Sequence, residues 1–315
     1  MKKIFAILLT MLLLLTMLPV SAVSVSAQVD EIIVNVKDFG AVGDGVTNDR
    51  AAMMAAFDYA ITNYAAQSIP VTVYFPEGEY GLLRGGMYIY MPFGSGNLTV
   101  RGDGADKSTI VYLDEWGNGG SWVAIRLQLE ATPAGVDDYM HDVTIQDLGV
   151  YDTNPDKHAW HVDNGDPGTE ETHGFNIQYC VRATIKNCKT VDVGDECYDM
   201  THCIDSLMTE NVVVKNDLTG KGGGSISVGD GCENVLITNN LVVFDSSDPV
   251  ACHYGIAVEA LTETVKDIII TNNTMQQVNG WGINIGAPRG TIENVLVQNN
   301  TMTSCKEGGI RFMGT

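Results

Sequence analysis

Beyond its first twenty residues this 315-residue chain has no long apolar run, so no membrane-spanning helix is expected in the body of the protein. Basic residues are scarce: 18 Lys and Arg stand against 39 Asp and Glu. That balance excludes nucleic-acid binding through general electrostatics and makes an anionic membrane surface a poor partner. Cysteine is absent before Cys180 and never occurs as a CxxC pair, so a zinc site of the usual spacing is not expected. Helical periodicity is missing after Tyr64, which excludes helical-repeat architectures for most of the chain.

What is present begins with a leader. Lys2 and Lys3 precede an apolar run, Ile4–Val20, and small residues follow up to Ala27. This is the layout of a secretory signal peptide, and a secreted mature chain of residues 28–315 is expected. The precursor's formal charge is −21. Residues 1–27 carry two lysines and no acids, so cleavage takes it to −23. An anionic glycan would then need a local basic pocket or bridging cations. The seven cysteines are odd in number, so at least one has no intrachain partner, and buried thiols are as compatible with the pattern as disulfides.

The body of the chain is repetitive. One segment type reads VTIQD, ATIKN, VVVKN, VLITNN, IIITNN and VLVQNN, centred on Ile145, Ile185, Val214, Ile237, Ile270 and Val297. A second reads GFNIQ, CYDMT, SISVG, GIAVE, GINIG and GIRFM, with inward candidates Phe175, Tyr198, Ile226, Ile256, Ile283 and Ile310. The two types alternate strictly. Each is short, β-branched and period-2, bounded by glycine or asparagine. A repeat of roughly 28 residues built this way predicts one turn of a β-solenoid, each strand stacked on its equivalent one coil away, ~4.8 Å distant. Asn187, Asn216, Asn239, Asn272 and Asn299 then fall at one place in the coil and are expected to form an amide ladder. Cys180 and Cys203 fall together in adjacent coils. Their Cα spacing permits either a disulfide or a stacked pair of thiols.

VTNDRAAMMAAFDYAITNYAAQ is the one amphipathic helical stretch. Thr47 is its expected N-cap, and Met53, Phe57, Ile61 and Tyr64 share a face that would cover the open first coil. VTVYFPEGEYGL and LTVRGDG read as the first strands. At the other end, GGIRFMGT is a strand repeat with no polar cap after it. That edge is expected either to be covered by something else or to continue in a longer protein. The domain expectation is residues 28–315, with cap and first coils over 34–110 and regular coils over 141–315.

VNVKDFGAVGDGVTNDRAAMMAAFDYA (Val34–Ala60), followed by VYFPEGEY, closely resembles the N-terminal segment of the pectate lyase superfamily, and the downstream repeats resemble its coils. The resemblance implies an all-β, right-handed parallel β-helix with an N-terminal capping helix, binding carbohydrate in a groove on its flank. It does not imply one reaction, because the scaffold hosts hydrolases, lyases, epimerases and binders. His173–Asp230 further resembles the polygalacturonase-type stretch in which NTDG precedes GDDC. On that match Asp195 and Glu196 stand at the GDDC acid pair and His173 at the third aspartate. Gly224 replaces a histidine, and Ala257 and Glu259 replace the basic pair that would hold a galacturonate carboxylate.

Repeat register places His173, Glu196, Gly224, Tyr254 and Trp281 in one column, with Asp195 and His253 in its neighbour. An outward column within the strand holds Asn176, Asp199, Ser227, Asn284 and Arg311. Asp195, Glu196, Asp199 and His173 are the candidate catalytic residues, since clustered carboxyls raise one another's pKa and supply the paired acids that glycoside hydrolysis needs. His253, Tyr254, Trp281, Asn284 and Glu259 are the candidate substrate contacts, with Tyr254 and Trp281 placed to stack on sugar rings and Gly224 to let the sugar approach. The polar stretch Tyr151–Gly174 reads as an insertion between coils, with His158, Trp160, His161 and Asp163 as a groove wall or cation site.

Three readings follow. The first is a secreted polysaccharide hydrolase, on a pectin-like uronate polymer. The second is a lyase or epimerase that removes the C5 proton with His253, Tyr254 or His173, in which case Ca2+ or a positive charge would neutralise the uronate carboxylate. The third is a non-catalytic glycan-binding solenoid. The enzyme readings are preferred, hydrolase ahead of lyase. No metal ligand is assigned, no cofactor is required by the first reading, and the chain is expected to act as a monomer.

Overall fold

The structure is a computed structural model that describes residues 31–83, 85–113, 120–153, 170–215, 224–244 and 254–314. The expected signal peptide, His253, Asn216 and the His158–Asp163 group lie outside the described residues. Within the unit Ile32–Thr315 the chain winds as a right-handed parallel β-helix. Among the described residues its strands form a 17-stranded sheet that wraps two faces of each coil and a 9-stranded sheet that makes the third. Every registered strand pair is parallel.

The two repeat types build the two faces of the larger sheet. Phe175, Tyr198, Ile226, Ile256, Ile283 and Ile310 are in register from coil to coil, as the spacing predicts. Ile145, Ile185, Met208, Ile237, Ile270 and Val297 form the second inward column. Here the sequence reading was off by one face. Met208, not Val214, continues that column, and VVVKN pairs with Lys189–Val191 in the smaller sheet. A valine run carries no mark of which face it will occupy, because all three inward columns want β-branched or aliphatic residues. Up to Ile283 and Ile270 these columns are buried and make one continuous apolar core, against which the half-buried Val297 packs. At the last described coil Ile310 and Phe312 remain exposed.

The helix, Arg50–Asn63, covers the first coils. It buries Met53, Ala56, Phe57, Ala60 and Ile61, and the Phe57 ring meets Phe75 at 6.3 Å. Thr47 is not its N-cap. Thr47 lies in the strand Asp44–Asn48, and Asp49 occupies the cap position without a side-chain cap bond. The buried Asp49 carboxylate instead accepts from Val42 N at 2.7 Å and Gly43 N at 3.0 Å, fixing the GAVGDG turn. Two further strands, Ile32–Asn35 and Asp44–Asn48, precede the ones expected.

Corners repeat as faithfully as strands. Asp142, Arg182, Asp205, Asn234, Asp267 and Asn294 mark one corner, and Asp147, Asn187, Glu210, Asn239, Asn272 and Asn299 another, all with φ between +51° and +62°. Asn and Asp tolerate this left-handed conformation better than other non-glycine residues. Of the asparagines read as a ladder, Asn187, Asn239, Asn272 and Asn299 are therefore corner residues. The ladder itself runs one residue later, through Asn211, Asn240, Asn273 and Asn300. Asn211 N and Nδ2 donate to Asn240 Oδ1 at 3.0 and 3.1 Å, and Asn240 N and Nδ2 donate to Asn273 Oδ1, both at 2.9 Å. Asn273 repeats the pattern on Asn300 at 2.9 and 3.0 Å. Each Nδ2 also donates to an inner-strand carbonyl, Asn240 to Met208 O at 3.0 Å.

The ladder generates a stability prediction. Asn240→Ala leaves Asn211 donors and the Met208 carbonyl unpaired in a dry interior and should cost about 2–3 kcal/mol. Asn239→Gly, at the neighbouring left-handed corner, should stay within about 0.5–1 kcal/mol of the parent. Denaturant midpoints at constant m-value measure both, and a near-neutral Asn240→Ala would remove the ladder's claim to hold the coils in register.

Candidate active site

The candidate catalytic residues stand on neighbouring rungs. His173 lies in the strand Glu170–Val181, which begins inside the stretch read as an insertion. Asp195 and Glu196 sit in the bend one coil on, just before the strand Tyr198–Thr209. Local bonds define that bend. Thr172 Oγ1 accepts from Gly194 N at 2.8 Å and donates to Asp152 Oδ2 at 2.9 Å, while Asp195 N donates to Thr172 O at 2.9 Å. Lys215, buried, reaches up from the third face and donates to Asp195 O at 3.0 Å. Tyr112 Oη donates to His173 O at 2.6 Å.

His173 Nδ1 lies 2.8 Å from Glu196 Oε2 and 4.0 Å from Asp195 Oδ2. The side chains are 11%, 29% and 14% exposed for His173, Glu196 and Asp195. Burial pushes the Glu196 carboxyl up, but the His173 hydrogen bond and charge and a hydrogen bond from Asp195 outweigh it and hold Glu196 down at about 2. One ligand atom from each of the three lies within 4.8 Å of the others, enough in number and kind for a divalent cation. A cation there would have to displace the 2.8 Å His173–Glu196 contact.

Three residues further along the strand, Asp199 is half-buried. It accepts from Asn176 Nδ2 and, at 3.3 Å, from Thr201 Oγ1. Burial first and repulsion from Glu196 second raise its carboxyl to about 7, against the pull of Arg126, His173 and the Thr201 bond. Two carboxyls on one coil are thus driven apart, Glu196 ionised across the ordinary range and Asp199 keeping its proton below about pH 7. Glu259 belongs to the same field. Burial and then the Glu196 charge raise it, and Asn284 Nδ2 donates to its Oε1 at 3.2 Å.

The predicted outward column is real in register: Asn176, Asp199, Ser227, Ala257, Asn284 and Arg311. It continues downward to Arg126 and Tyr88. Much of it is buried, Asn176, Ser227, Ala257 and Asn284 included, so it is a polar floor rather than an open face. Asn176 Oδ1, Asn284 Oδ1 and Arg126 Nε are buried and have no hydrogen-bond partner among the described residues. The Arg126 guanidinium carbon sits 5.3 Å from the Tyr88 ring centroid. Arg126 was missed because it precedes the regular repeats. The alternation in VAIRLQLE, which buries Ile125 and Leu127, was the available signal.

One expectation changes. Gly224 is buried, and a Cβ there would fall 2.5 Å from Ala257 Cβ, so its missing side chain admits a packing neighbour, not a sugar. Tyr254 and Trp281 are half-buried at the expected place. Arg311 Nη1 donates to Tyr254 Oη at 3.3 Å, and the Trp281 ring lies over Gly308, where a Cβ would come within 2.5 Å of it. Cys180 and Cys203 are neighbours in register, with Cys232 next, and all three are free, buried thiols.

A profile described as "Rhamnogalacturonase A/epimerase, pectate lyase-like" matches residues 33–311. The mannuronan C5-epimerase AlgE4 of Azotobacter vinelandii is 30% identical over 217 residues, covering 59% of this chain and 35% of that protein. Alginate lyase 7 of the same organism is 34% identical over 134 residues, covering 41% of this chain and 14% of that one. The chain thus spans about a third or less of the length of these relatives. The crystal structure of a hyperthermoactive exopolygalacturonase from Thermotoga maritima matches 91% of this chain and 76% of its own, with a TM-score of 0.52 and 14% identity, a likeness of fold.

The Asp199 environment makes stability pH-dependent. Its native pKa, about 7, lies above the ordinary carboxylate value. Between roughly pH 4 and 7 the native state therefore keeps a proton that the unfolded chain has lost, and stability falls as pH rises through that window. Discounted for partial exposure, the loss from pH 5 to 8 should be on the order of 1–2 kcal/mol. Asn at position 199 should abolish it, as read from unfolding curves at both pH values.

Proposed function

The chain belongs to the rhamnogalacturonase A/epimerase, pectate lyase-like family, and on that premise we propose that it is a secreted enzyme acting on a uronate-containing polysaccharide. The reaction is hydrolysis of a glycosidic bond at the rung of His173, Asp195, Glu196 and Asp199. The observation that carries this reading is Glu196 paired with His173 at 2.8 Å and the second carboxyl, Asp199, three residues along the same coil in a place that favours its protonated form. Asp199, protonated up to about pH 7, supplies the proton that the leaving glycosidic oxygen needs. Glu196, ionised and held by His173 at 2.8 Å, accepts the proton of the attacking water, with Asp195 beside it. A protonated acid and an ionised base in neighbouring environments are what acid–base cleavage at neutral pH requires. Arg126, two coils before Asp199 in the same column, supports an anionic sugar in a chain otherwise crowded with acids. Tyr254, Trp281 and Glu259 line the approach, while Asn284, expected as a substrate contact, is fully buried beneath Glu259 and bonds to it.

Inversion or elimination at C5 is the second reading. It is favoured by the relatives, which are named as mannuronan C5-epimerases and an alginate lyase. It is also favoured by Arg126, whose charge would stabilise a uronate carboxylate as the C5 proton leaves for His173 or Glu196.

The test is a panel of acidic and neutral polysaccharides given to the secreted chain, with calcium and with chelator. Reducing ends, ultraviolet absorbance of unsaturated sugar, and C5 configuration by NMR are read together. Hydrolysis predicts new reducing ends without absorbance, with Asp199→Asn and Glu196→Gln each losing at least about 100-fold in kcat/KM. Activity should fall about tenfold per pH unit above roughly 7, where Asp199 loses its proton. Absorbance or inverted C5 would instead establish the second reading, and activity unchanged in both variants would remove the rung from the chemistry.

A further inference from the structure

A second group of chemistry-bearing side chains lies away from this rung, where the chain turns between the two faces of the larger sheet. Ser68 Oγ is 3.1 Å from His141 Nε2, and His141 Nδ1 is 2.8 Å from Asp142 Oδ2. Ser68 and His141 are 73 residues apart in sequence and are joined by coil stacking. His141 N donates to Ser95 O, and Asn97 N to His141 O, both at 3.0 Å. Gly96 makes the approach possible, since a Cβ there would fall 2.2 Å from His141 O and 2.6 Å from Nδ1.

We propose that Ser68, His141 and Asp142 form a nucleophile–base–orienter set that hydrolyses a short acyl ester of an alcohol. The order of contacts is the one this chemistry uses, a hydroxyl on one imidazole nitrogen and a carboxylate on the other, with Gly94 O at 3.3 Å as the second acceptor within reach of the Ser68 hydroxyl. Each member is held. Ser68 ends a short 3-10 turn with φ 55° and ψ 29°, a left-handed conformation uncommon for a non-glycine residue. Asp142 is gripped by Arg182, whose Nε and Nη2 each donate to it at 2.6 Å. That pair first, helped by the His141 bond and opposed by partial burial, keeps its carboxyl down at about 2, so it stays ionised opposite the imidazole. Asn97 Nδ2 donates to Ser68 O at 2.7 Å, which sets an amide with a second N–H beside the nucleophile. Ile69 and Phe93 are 40% and 43% exposed and offer apolar surface to an acyl chain.

The steps balance with water as sole co-reactant. Ser68 Oγ bonds to the ester carbonyl carbon while its proton passes to His141 Nε2. The carbon–alkoxy bond breaks, and the alcohol leaves with that proton. Water then attacks the acyl-serine, gives a proton to His141 and releases the acid, and the proton returns to Ser68 Oγ. Asp142 acts as a positioning residue through His141.

The experiment labels the full secreted chain with a fluorophosphonate probe and maps the adduct by peptide mass spectrometry. Hydrolysis of p-nitrophenyl acetate and acetate release from an O-acetylated polysaccharide are measured alongside. The expected result is one adduct at Ser68 and ester hydrolysis that falls at least about 100-fold in Ser68→Ala and His141→Gln. Ser68→Gly is the folding control, because glycine suits a left-handed φ. It should melt no lower than the parent yet lose the adduct and the activity. Asp142→Asn should lower kcat with little change in KM, a split that mere loosening of the corner would not give. Acetate release from the polysaccharide places the ester on a sugar, and hydrolysis of the small ester alone places it on another alcohol. No adduct at Ser68, or hydrolysis that survives Ser68→Gly, overturns the proposal and leaves the Glu196 rung untouched.

Discussion

Parallel stacking at ~4.8 Å makes each position in a coil the direct neighbour of its equivalents above and below, so one choice of residue is tested against copies of itself along the whole axis. Apolar columns reward this, because like packs on like. Polar columns survive it only where donor and acceptor alternate within one side chain. The amide does so, and Asn211, Asn240 and Asn273 each accept from the coil before and donate to the coil after. Corners need a backbone that turns without a glycine's entropy cost, and Asn or Asp in the left-handed region recurs there.

The same constraint becomes a liability where a column carries charge. A chain with 39 acids and 18 bases cannot stack carboxylates freely. At the candidate rung the conflict is resolved unequally. Glu196 takes the imidazole, and Asp199, beside Asn176 and Thr201, is left to hold its proton. Burial first and repulsion second raise Asp199 while His173 holds Glu196 down, and two like groups are separated into an acid and a base. The Ser68–His141–Asp142 corner shows a milder version, with Arg182 supplying the counter-charge for Asp142.

The repeat register was legible because it depends on period and not on identity. From Phe175, Tyr198, Ile226, Ile256, Ile283 and Ile310 the coil, its inward column and the outward Asn176–Arg311 column could all be read. Errors came where identity does not betray face. VVVKN suits any inward column, and in a TNN pair both asparagines favour turns while only the second enters the interior. Gly224 read as open space because a missing side chain in sequence says nothing of which neighbour fills it, and here Ala257 does.

By itself the sequence determined the solenoid, its capping helix and the clustering of His173, Asp195, Glu196 and Asp199, which follow from spacing along the chain, and its resemblance over Val34–Ala60 pointed to the family. Only the tertiary structure decided what those groups are to one another. The His173–Glu196 pairing, the raised Asp199 carboxyl, the place of Arg126 on the same floor and the meeting of Ser68 with His141 depend on distances of a few ångströms between separate coils and on how much water the packing excludes. Electrostatic interaction and desolvation vary steeply over that range, and residue order does not encode them.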